Sequence, residues 1–254
     1  MSYSTYVISL ADESLRRDSI EKQLSKLEHD FNYVDATDMR FCDVSILEKY
    51  SSLSEYASVK RSLTRGEVGC ALSHYDVYKK LLSSNDEWAW VIEDDAIISR
   101  IKNNSIEKVI NISNGADAII LGYSKLAMKE ENSFYAMEPI KAVVIDSEIT
   151  VGTPWKNWTC GTVSYLISKS GARKMLSILN ENKIVTLADD WDFFCKTAGL
   201  KIFHCRPLLV FEDYNNFESS LEDERVPNAK KKKNILKFIR VIRGYIRKGI
   251  MRYK

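Results

Sequence analysis

Three consecutive carboxylates, Glu93, Asp94 and Asp95, follow an apolar segment that begins at Trp88. The segment WAWVI is typical of a buried strand, and three like charges at its end repel one another. A divalent cation would make the cluster favourable, because hard cations prefer carboxylate oxygens. Acids at the carboxyl end of a central strand also lie where open α/β sheets bind ligands. The segment therefore predicts a metal-assisted ligand site, with a solvated acidic turn as the competing interpretation.

A second acidic group, Asp189, Asp190 and Asp192, lies at the start of a predicted helix over residues 188–198. The helix dipole favours an ionised carboxylate at that end, and such a group can accept a proton from a substrate hydroxyl. Simple N-capping is the alternative role, and it suits Asp189 best. Asp190 is therefore the preferred candidate for a general base.

Basic and imidazole side chains supply the remaining candidates. Arg16 and Arg17 follow the first predicted strand, and guanidinium groups suit bidentate contacts with phosphate. A solvated helix surface is the alternative for both. Glu67 and His74 are seven residues apart in a predicted helix, so they can share one face. A packed core histidine is the alternative for His74.

The elements that must position these residues alternate between strand and helix. Strands are predicted over residues 6–10, 31–35, 88–92, 118–121, 161–167 and 201–205, with a weak hairpin pattern over 134–148. Helices are predicted after Asp12 and over residues 65–82, 170–179 and 188–198, with one helical turn near 44–50. This alternation predicts the α/β class, with a mostly parallel central sheet flanked by helices.

Composition limits the class of protein. At 254 residues the chain is long enough for one large domain, or one domain with an appendage. Its five cysteines form no CxxC pair and its three histidines are scattered, so we expect reduced thiols and no zinc constellation. We expect no signal peptide, because the chain begins with a strand pattern and not with a basic segment followed by an apolar one. We expect no membrane span, because no apolar run approaches about 18 residues. These features predict a cytoplasmic protein.

The last 27 residues differ from the rest of the chain. Residues 228–254 carry eleven Lys or Arg and no acid, which leaves 26 basic and 35 acidic residues before them. Apolar residues recur there at helical spacing: Ile235, Phe238, Ile239, Ile242, Tyr245, Ile246 and Ile250. The pattern predicts a basic amphipathic helix lying on an anionic membrane. A nucleic-acid-binding tail and a helix packed on the acidic body are the alternatives. We therefore divide the chain into a catalytic domain, 1–227, and a membrane-associating tail, 228–254.

Six segments, in order along the chain, resemble one family. They are residues 7–10 with Arg16 and Arg17, Asp35 with Ala36, residues 63–74, residues 92–96, residues 160–172 and residues 188–191. The sequence they form is similar to glycosyltransferase family 25, the bacterial lipooligosaccharide galactosyltransferases related to collagen galactosyltransferases. The segments GEVGCALSH and YLISKSGA are the most specific. The basic tail lies outside the resemblance.

The resemblance implies a GT-A type fold, a UDP-galactose donor and inversion at the anomeric carbon. It implies that Asp95, with Glu93, binds Mn²⁺ or Mg²⁺, since the leaving nucleoside diphosphate needs a cation. The donor-binding residues that it implies are Leu10, Arg16, Arg17, Asp35, Glu67, His74, Glu93 and Asp94. Many GT-A enzymes have Asp where this chain has Glu93, which leaves the division of roles between Glu93 and Asp94 open.

An inverting transfer is a direct displacement, so the acceptor hydroxyl needs a general base and the protein needs no nucleophile. Asp190 is the first candidate for this base and Asp189 the second. Trp155, Trp158 and Trp191 are candidate platforms for the acceptor sugar, with core packing as the alternative.

Together these expectations describe an inverting galactosyltransferase that acts on a lipooligosaccharide or other lipid-linked glycan. It would be peripheral on the inner face of the cytoplasmic membrane, with no nucleic-acid partner. Transfer of another UDP-sugar, such as glucose or N-acetylglucosamine, is an alternative. A non-catalytic module that binds a sugar nucleotide is another.

Overall fold

The computed structural model describes residues 2–102, 104–145, 148–179, 183–214, 216–217 and 233–252. Its strands are β1 (Tyr3–Ser9), β2 (Asn32–Asp35), β3 (Trp88–Glu93), β4 (Ala96–Ile97), β5 (Ala118–Ile120), β6 (Gly122–Tyr123), β7 (Ile140–Ile145), β8 (Thr150–Pro154), β9 (Ser164–Ser168), β10 (Ile202–Arg206) and β11 (Val210–Glu212). Its helices are α1 (Ser14–Ser25), α2 (Val44–Tyr50), α3 (Arg65–Ser83), α4 (Ser105–Ile112), α5 (Glu131–Met137), α6 (Lys169–Ser177), α7 (Trp191–Ala198) and α8 (Lys233–Arg252).

Eight strands form the central sheet, in the order β2-β1-β3-β9-β5-β10-β8-β7. β1 pairs in parallel with β2 and β3, and β5 pairs in parallel with β10. β9 and β8 run antiparallel to both of their neighbours. Six of the eight strands therefore point the same way, which confirms the predicted α/β class, and two reversed strands make the sheet mixed. A smaller sheet, β4-β11-β6, lies beside it.

Strand β3 is buried on both faces because helices cover both sides of the sheet. Trp90 and Ile92 belong to the core on the side of α1 and α4, whereas Ala89 and Val91 belong to the core on the side of α3 and α6. Successive side chains of a strand point to opposite faces, so both layers need apolar residues. This is why the strand reads as a continuous apolar run that stops only at its acidic end.

Helix α3 begins at a capping box. The Thr64 hydroxyl accepts a hydrogen bond from the Glu67 N–H, and the Glu67 carboxylate accepts one from the Thr64 N–H. Val68, Ala71 and Tyr78 then recur on one face and pack into the core against the sheet. The helix thus has a fixed starting point and a fixed rotation about its axis.

One predicted element is wrong. The hairpin predicted over residues 134–148 is not seen in the described residues of that range, because residues 131–137 form helix α5 and β7 pairs instead with β8. Phe134 and Met137 are three residues apart, and on a helix both can turn inward. Met137 is buried and the Phe134 ring contacts Tyr123 and Trp158. The tertiary contacts thus select the helix over a weak alternating pattern.

Helix α8 packs with one face on α5 and β7. At Gly244 the two backbones come so close that a Cβ would lie 1.9 Å from the carbonyl oxygen of Ala136. Arg247 Nη1 lies 2.6 Å from Glu138 Oε2, and Arg240 Nη2 lies 3.6 Å from Glu138 Oε1. The face of α8 that bears Arg240, Gly244 and Arg247 is therefore packed on the acidic body, as one of the alternatives expected.

The opposite face of α8 is an exposed apolar stripe. It consists of Ile239, Ile242, Tyr245, Ile246 and Ile250, each more than 40% exposed. Within the ranges given above, no helix is both long and apolar enough to cross a bilayer. The predicted boundary at residues 227–228, the basic residues 230–232 and the side chains of Ile235 and Phe238 lie outside the described part of the structure.

Candidate active site

A cavity of about 230 Å³ opens at the carboxyl ends of β1 and β3, beside the first half of α3. It brings together eight residues that the sequence nominated: Leu10, Arg16, Glu67, His74, Glu93, Asp94, Asp95 and Asp189. They come from five separate segments, so the strand ends and the start of α3 position the site. This is the place where open α/β sheets bind ligands.

The Glu93 carboxylate is held by two partners. Its Oε1 accepts a hydrogen bond from Thr162 Oγ1 at 2.5 Å and lies 3.2 Å from His74 Nε2. Burial alone would raise the pKa of Glu93, but the contacts with His74 and Thr162 outweigh it and the net shift is downward. Glu93 is therefore held as a carboxylate in a fixed direction.

Arg16 links the other two acids of the triplet. Its Nη1 lies 3.0 Å from Asp94 Oδ1 and 3.4 Å from Asp95 Oδ2. Burial raises the pKa of Asp94, although the Ser9 hydroxyl and Arg16 oppose the shift. One guanidinium thus partly neutralises two neighbouring carboxylates.

Asp95 is the least satisfied acid in the cavity. It is 9% exposed, and its Oδ1 is buried without a hydrogen-bond partner among the described residues. Burial, followed by the charges of Glu93 and Glu212, raises the pKa of Asp95 well above its usual value. A buried, unsatisfied oxygen among carboxylates fits a hard divalent cation, which takes oxygen ligands. Asp95 therefore suits the predicted Mn²⁺ or Mg²⁺.

Glu212 is a further carboxylate of the cavity that sequence reasoning missed. It ends β11, lines the cavity, and its Oε2 accepts the Lys125 N–H at 2.7 Å. Burial, together with the charge of Glu93, raises its pKa although Lys125 opposes the shift. The signal was an acid after the apolar run 208–211, the same pattern that marks Glu93. The smaller sheet carries this acid to the cavity.

Cys70 was also missed. Ligand atoms of Cys70, His74 and Glu93 all lie within 4.8 Å of one another, so the three form a group that can hold a metal ion. The sequence analysis predicted no zinc site, because it considered only CxxC pairs and paired histidines. The signal that could have found the group is a Cys and a His four residues apart on a helix, hence on one face.

The preferred base, Asp190, does not reach the cavity. It is fully buried, and its carboxylate accepts hydrogen bonds from the Ser58 N–H, the Ser58 hydroxyl, the Thr186 hydroxyl and the Phe193 N–H. Asp190, and not Asp189, is the N-cap of α7. Asp189 lines the cavity, where its Oδ2 accepts the Gly161 N–H at 2.8 Å. The structure therefore gives the capping role to Asp190 and places Asp189 at the cavity.

One of the three candidate acceptor platforms is a core residue, and a second packs against the core. Trp191 is fully buried, packs on Tyr165, and donates from Nε1 to the Gly161 carbonyl at 3.3 Å. Trp158 packs against the core and stacks on His204 at 5.1 Å between ring centroids. Trp155 is 39% exposed but does not line the described cavity. Core packing thus holds for Trp191, since a fully buried ring cannot meet a sugar, whereas Trp158 is partly buried and does not line the described cavity.

Three of the nominated residues, Arg17, Asp35 and Glu67, have local structural partners. Arg17 donates to the carbonyls of Ser9 and Leu10 and pairs with Asp35 at 2.5 Å, which ties the ends of β1 and β2 together. Glu67 belongs to the capping box and also binds both terminal nitrogens of Arg61. Neither Arg17 nor Asp35 lines the cavity, whereas Glu67 does.

Relatives of the chain are found in bacteria and animals. A protein named putative glycosyltransferase from Haemophilus influenzae is 26% identical over 92% of this chain and 82% of its own length. Procollagen galactosyltransferase 1-B of Xenopus laevis is 28% identical over 81% of this chain and 35% of that protein. A mouse protein named inactive glycosyltransferase 25 family member 3 is 31% identical over 81% and 36%, respectively. The chain spans about a third of the length of these two animal relatives.

A family model covers most of the chain. The model for glycosyltransferase family 25 (LPS biosynthesis protein) matches residues 3–191, which include β1, the acidic end of β3 and Asp189. The match confirms the resemblance seen in the sequence motifs. The chain belongs to glycosyltransferase family 25.

Proposed function

We propose that the protein is a metal-dependent, inverting hexosyltransferase that transfers galactose from UDP-galactose to a glycan acceptor. One observation carries the proposal more than any other. The buried, unsatisfied oxygen of Asp95 lies among acids in the same cavity as Asp189. A transferase of this kind needs both a cation site for the leaving diphosphate and a base for the acceptor.

Asp95 would hold the cation, with Glu93 and Glu212 as further oxygen donors in the same cavity. When bound, Mn²⁺ or Mg²⁺ supplies positive charge to the diphosphate leaving group. Arg16 adds a fixed positive charge beside the same carboxylates, where it can contact a phosphate. Asp94, which Arg16 orients, is suited to accept hydrogen bonds from ribose hydroxyls.

Asp189 would act as the base. The Gly161 N–H holds one of its oxygens, which fixes the direction of the carboxylate toward the cavity. In the displacement Asp189 takes the proton of the acceptor hydroxyl as that oxygen attacks the anomeric carbon. The nucleotide leaves from the opposite face, so the sugar is inverted.

The donor and the acceptor are inferred from relatives and from charge. Galactose is the sugar named in the procollagen galactosyltransferases, and glucose or N-acetylglucosamine are the alternatives. We propose a lipid-linked acceptor because α8 carries an exposed apolar stripe with basic residues beside it. Such a surface suits an anionic bilayer. In this view residues 1–227 are catalytic and residues 228–254 associate with the inner face of the cytoplasmic membrane.

A non-catalytic module is the second candidate. It is favoured by the mouse relative named inactive, which is 31% identical to this chain. Such a module would bind a sugar nucleotide in the same cavity but would not transfer the sugar. The two candidates differ in turnover and not in donor binding.

A donor screen tests the proposal. UDP or other nucleotide release is measured from a panel of nucleotide sugars, with Mn²⁺ and with a chelator. We expect release from UDP-galactose above all, lost with the chelator and in Asp95→Asn. Asp76→Asn is the matched control, because Asp76 is an exposed acid of α3 paired with Lys79. Binding of UDP-galactose without release, for every acceptor tried, would instead favour the non-catalytic module.

A further inference from the structure

We propose that Cys70, His74 and Glu93 form a second metal site in the cavity, selective for Zn²⁺ over Mg²⁺ and Mn²⁺. Cys70 and His74 lie four residues apart on α3, and Glu93 ends β3. Their ligand atoms already lie within 4.8 Å of one another, and His74 Nε2 lies 3.2 Å from Glu93 Oε1. Neighbouring ligands of tetrahedral zinc are about 3.4–3.8 Å apart, given metal–ligand bonds of about 2.0–2.3 Å. Small side-chain movements therefore close the site.

The His74 ring is oriented by a hydrogen bond at Nδ1, the ring nitrogen that does not face Glu93. Its Nδ1 lies 2.8 Å from the Tyr165 hydroxyl, and that hydroxyl lies 2.9 Å from the Tyr78 hydroxyl. A metal on Nε2 requires the proton on Nδ1, which the Tyr165 oxygen can accept while its own O–H turns to Tyr78. Metal-binding histidines nearly always have such a partner on the other ring nitrogen. His74 is 1% exposed and both of its ring nitrogens have partners, so the ring is held in place.

The chemistry of the ligands sets the selectivity. A thiolate and an imidazole are soft or borderline ligands that suit Zn²⁺, whereas Mg²⁺ and Mn²⁺ prefer oxygen. The acids around Asp95 offer oxygen alone. The cavity thus holds two unlike ligand sets that share Glu93. All three zinc ligands line the cavity, which leaves the fourth position open to it.

Occupancy of this site has a functional consequence that rests on the proposed transferase activity. Zinc on Glu93 would withdraw that carboxylate from the neighbouring cation site and narrow the donor cavity. We therefore expect Zn²⁺ to inhibit Mn²⁺-supported nucleotide release. The binding of zinc itself does not depend on the proposed function.

Cobalt absorption tests the site directly. Co²⁺ is added to the full metal-free chain, and thiolate-to-cobalt charge transfer is recorded in the near ultraviolet, followed by displacement with Zn²⁺. We expect one Co²⁺ per chain with this band in the wild type, in Asp95→Asn and in Cys42→Ser. Cys42 is the matched control, because it is another half-buried cysteine. We expect Cys70→Ser, Cys70→Ala and His74→Gln to lose the band.

Tyr165→Phe tests the orientation of His74. It should keep the band but weaken Zn²⁺ binding about 10–100-fold, as the loss of an outer partner does. In the release assay Cys70→Ser should need about tenfold more Zn²⁺ for half-inhibition than Cys42→Ser. A wild type without the band, or a band that persists in both Cys70 variants, overturns the zinc site. A normal band in a protein that releases no nucleotide overturns only the proposed function.

Discussion

Asp189 and Asp190 are adjacent in the chain, yet their carboxylates have opposite surroundings. Asp189 lines the cavity and is held by the Gly161 N–H. Asp190 is fully buried and surrounded by donors from Ser58, Thr186 and Phe193. One residue can therefore meet a substrate while the other fixes the loop that presents it.

Asp189→Asn should lower kcat by about 10²–10⁴-fold with little change in donor affinity, because asparagine keeps the shape but cannot take a proton. The measurement is nucleotide release with a saturating acceptor, next to donor binding by calorimetry. Asp192→Asn is the control, since Asp192 pairs with Lys196 and lies outside the cavity. Equal losses in the two variants would remove Asp189 from the base role.

Asp190→Asn should act on stability instead. Asparagine replaces one carboxylate oxygen, which accepts hydrogen bonds, with an NH₂ group, which donates them. The N–H and O–H groups that bind this oxygen would lose their acceptor, and the cap of α7 would weaken. We expect a loss of about 2–4 kcal/mol in the free energy of unfolding, measured by urea denaturation. A variant with wild-type stability and a large fall in kcat would restore Asp190 as the base.

Asp95→Asn should stabilise the metal-free protein while abolishing metal-dependent release. Removing one charge from a crowded acidic cluster relieves repulsion, and the pKa of Asp95 is already raised by burial and by Glu93 and Glu212. One kcal/mol corresponds to roughly 2–4 °C in Tm for a domain of this size. Thermal melts with chelator and with Mn²⁺ measure the effect. If Mn²⁺ raises the Tm of the variant as much as that of the wild type, Asp95 is not a ligand.

Asp117→Asn should reveal a pH-dependent contribution to stability. Burial alone would raise the pKa of Asp117, but Lys174 at 2.6 Å, the Lys201 N–H and Ser170 outweigh it, so the pKa is lowered. A lowered carboxyl pKa contributes stability above its unfolded value of about 3.9, and this is lost as the pH falls through the folded value. At pH 7 we expect the variant to lose about 1.5–3 kcal/mol.

The difference between Asp117→Asn and the wild type should shrink as the pH falls below about 4. Urea denaturation between neutral and acidic pH follows this. Asp76→Asn serves as control, because Asp76 and Lys79 form an exposed pair that contributes little. A difference that does not change with pH would assign the effect of Asp117→Asn to packing.

The double variant Ile242→Ser/Ile246→Ser should weaken binding to anionic vesicles by tenfold or more and leave folding unchanged. Both side chains are exposed, and a fully buried isoleucine contributes about 1.5–3 kcal/mol. Co-sedimentation with vesicles at low and high salt measures binding. Leu15→Ser is the control, because Leu15 is an exposed leucine on α1. Binding that the double variant retains in full would mean that the stripe is not the contact surface.

Sequence patterns predicted most of the framework and nominated eight of the residues that line the cavity. The apolar run ending in Glu93 located a central strand and its acidic end, because a strand buried on both faces needs apolar residues at successive positions. The helix at 65–82 was found from its periodic apolar face and is α3, Arg65–Ser83. Both features depend on residues close together in the chain.

The errors involve contacts between distant segments. Glu212 reaches the cavity through pairing of β11 with β4 and β6, which local patterns do not reveal. Trp191 could be assigned to the core only once Tyr165 and Phe194 were known to surround it. The buried, structural role of Asp190 depends on a hydrogen bond from Ser58, which lies 132 residues earlier in the chain. Tertiary packing decided each of these positions.

Gly161 has no side chain, yet the candidate site tolerates no other residue at this position. Its φ is +85°, and a Cβ would lie 1.8 Å from Ser124 Oγ. Its N–H holds Asp189, and its carbonyl accepts the Trp191 indole. A residue with a side chain here would have to move Ser124, and it would strain the backbone whose N–H holds Asp189. Relatives with another residue at this position are therefore expected to lack transferase activity, even if they keep the carboxylates of the cavity.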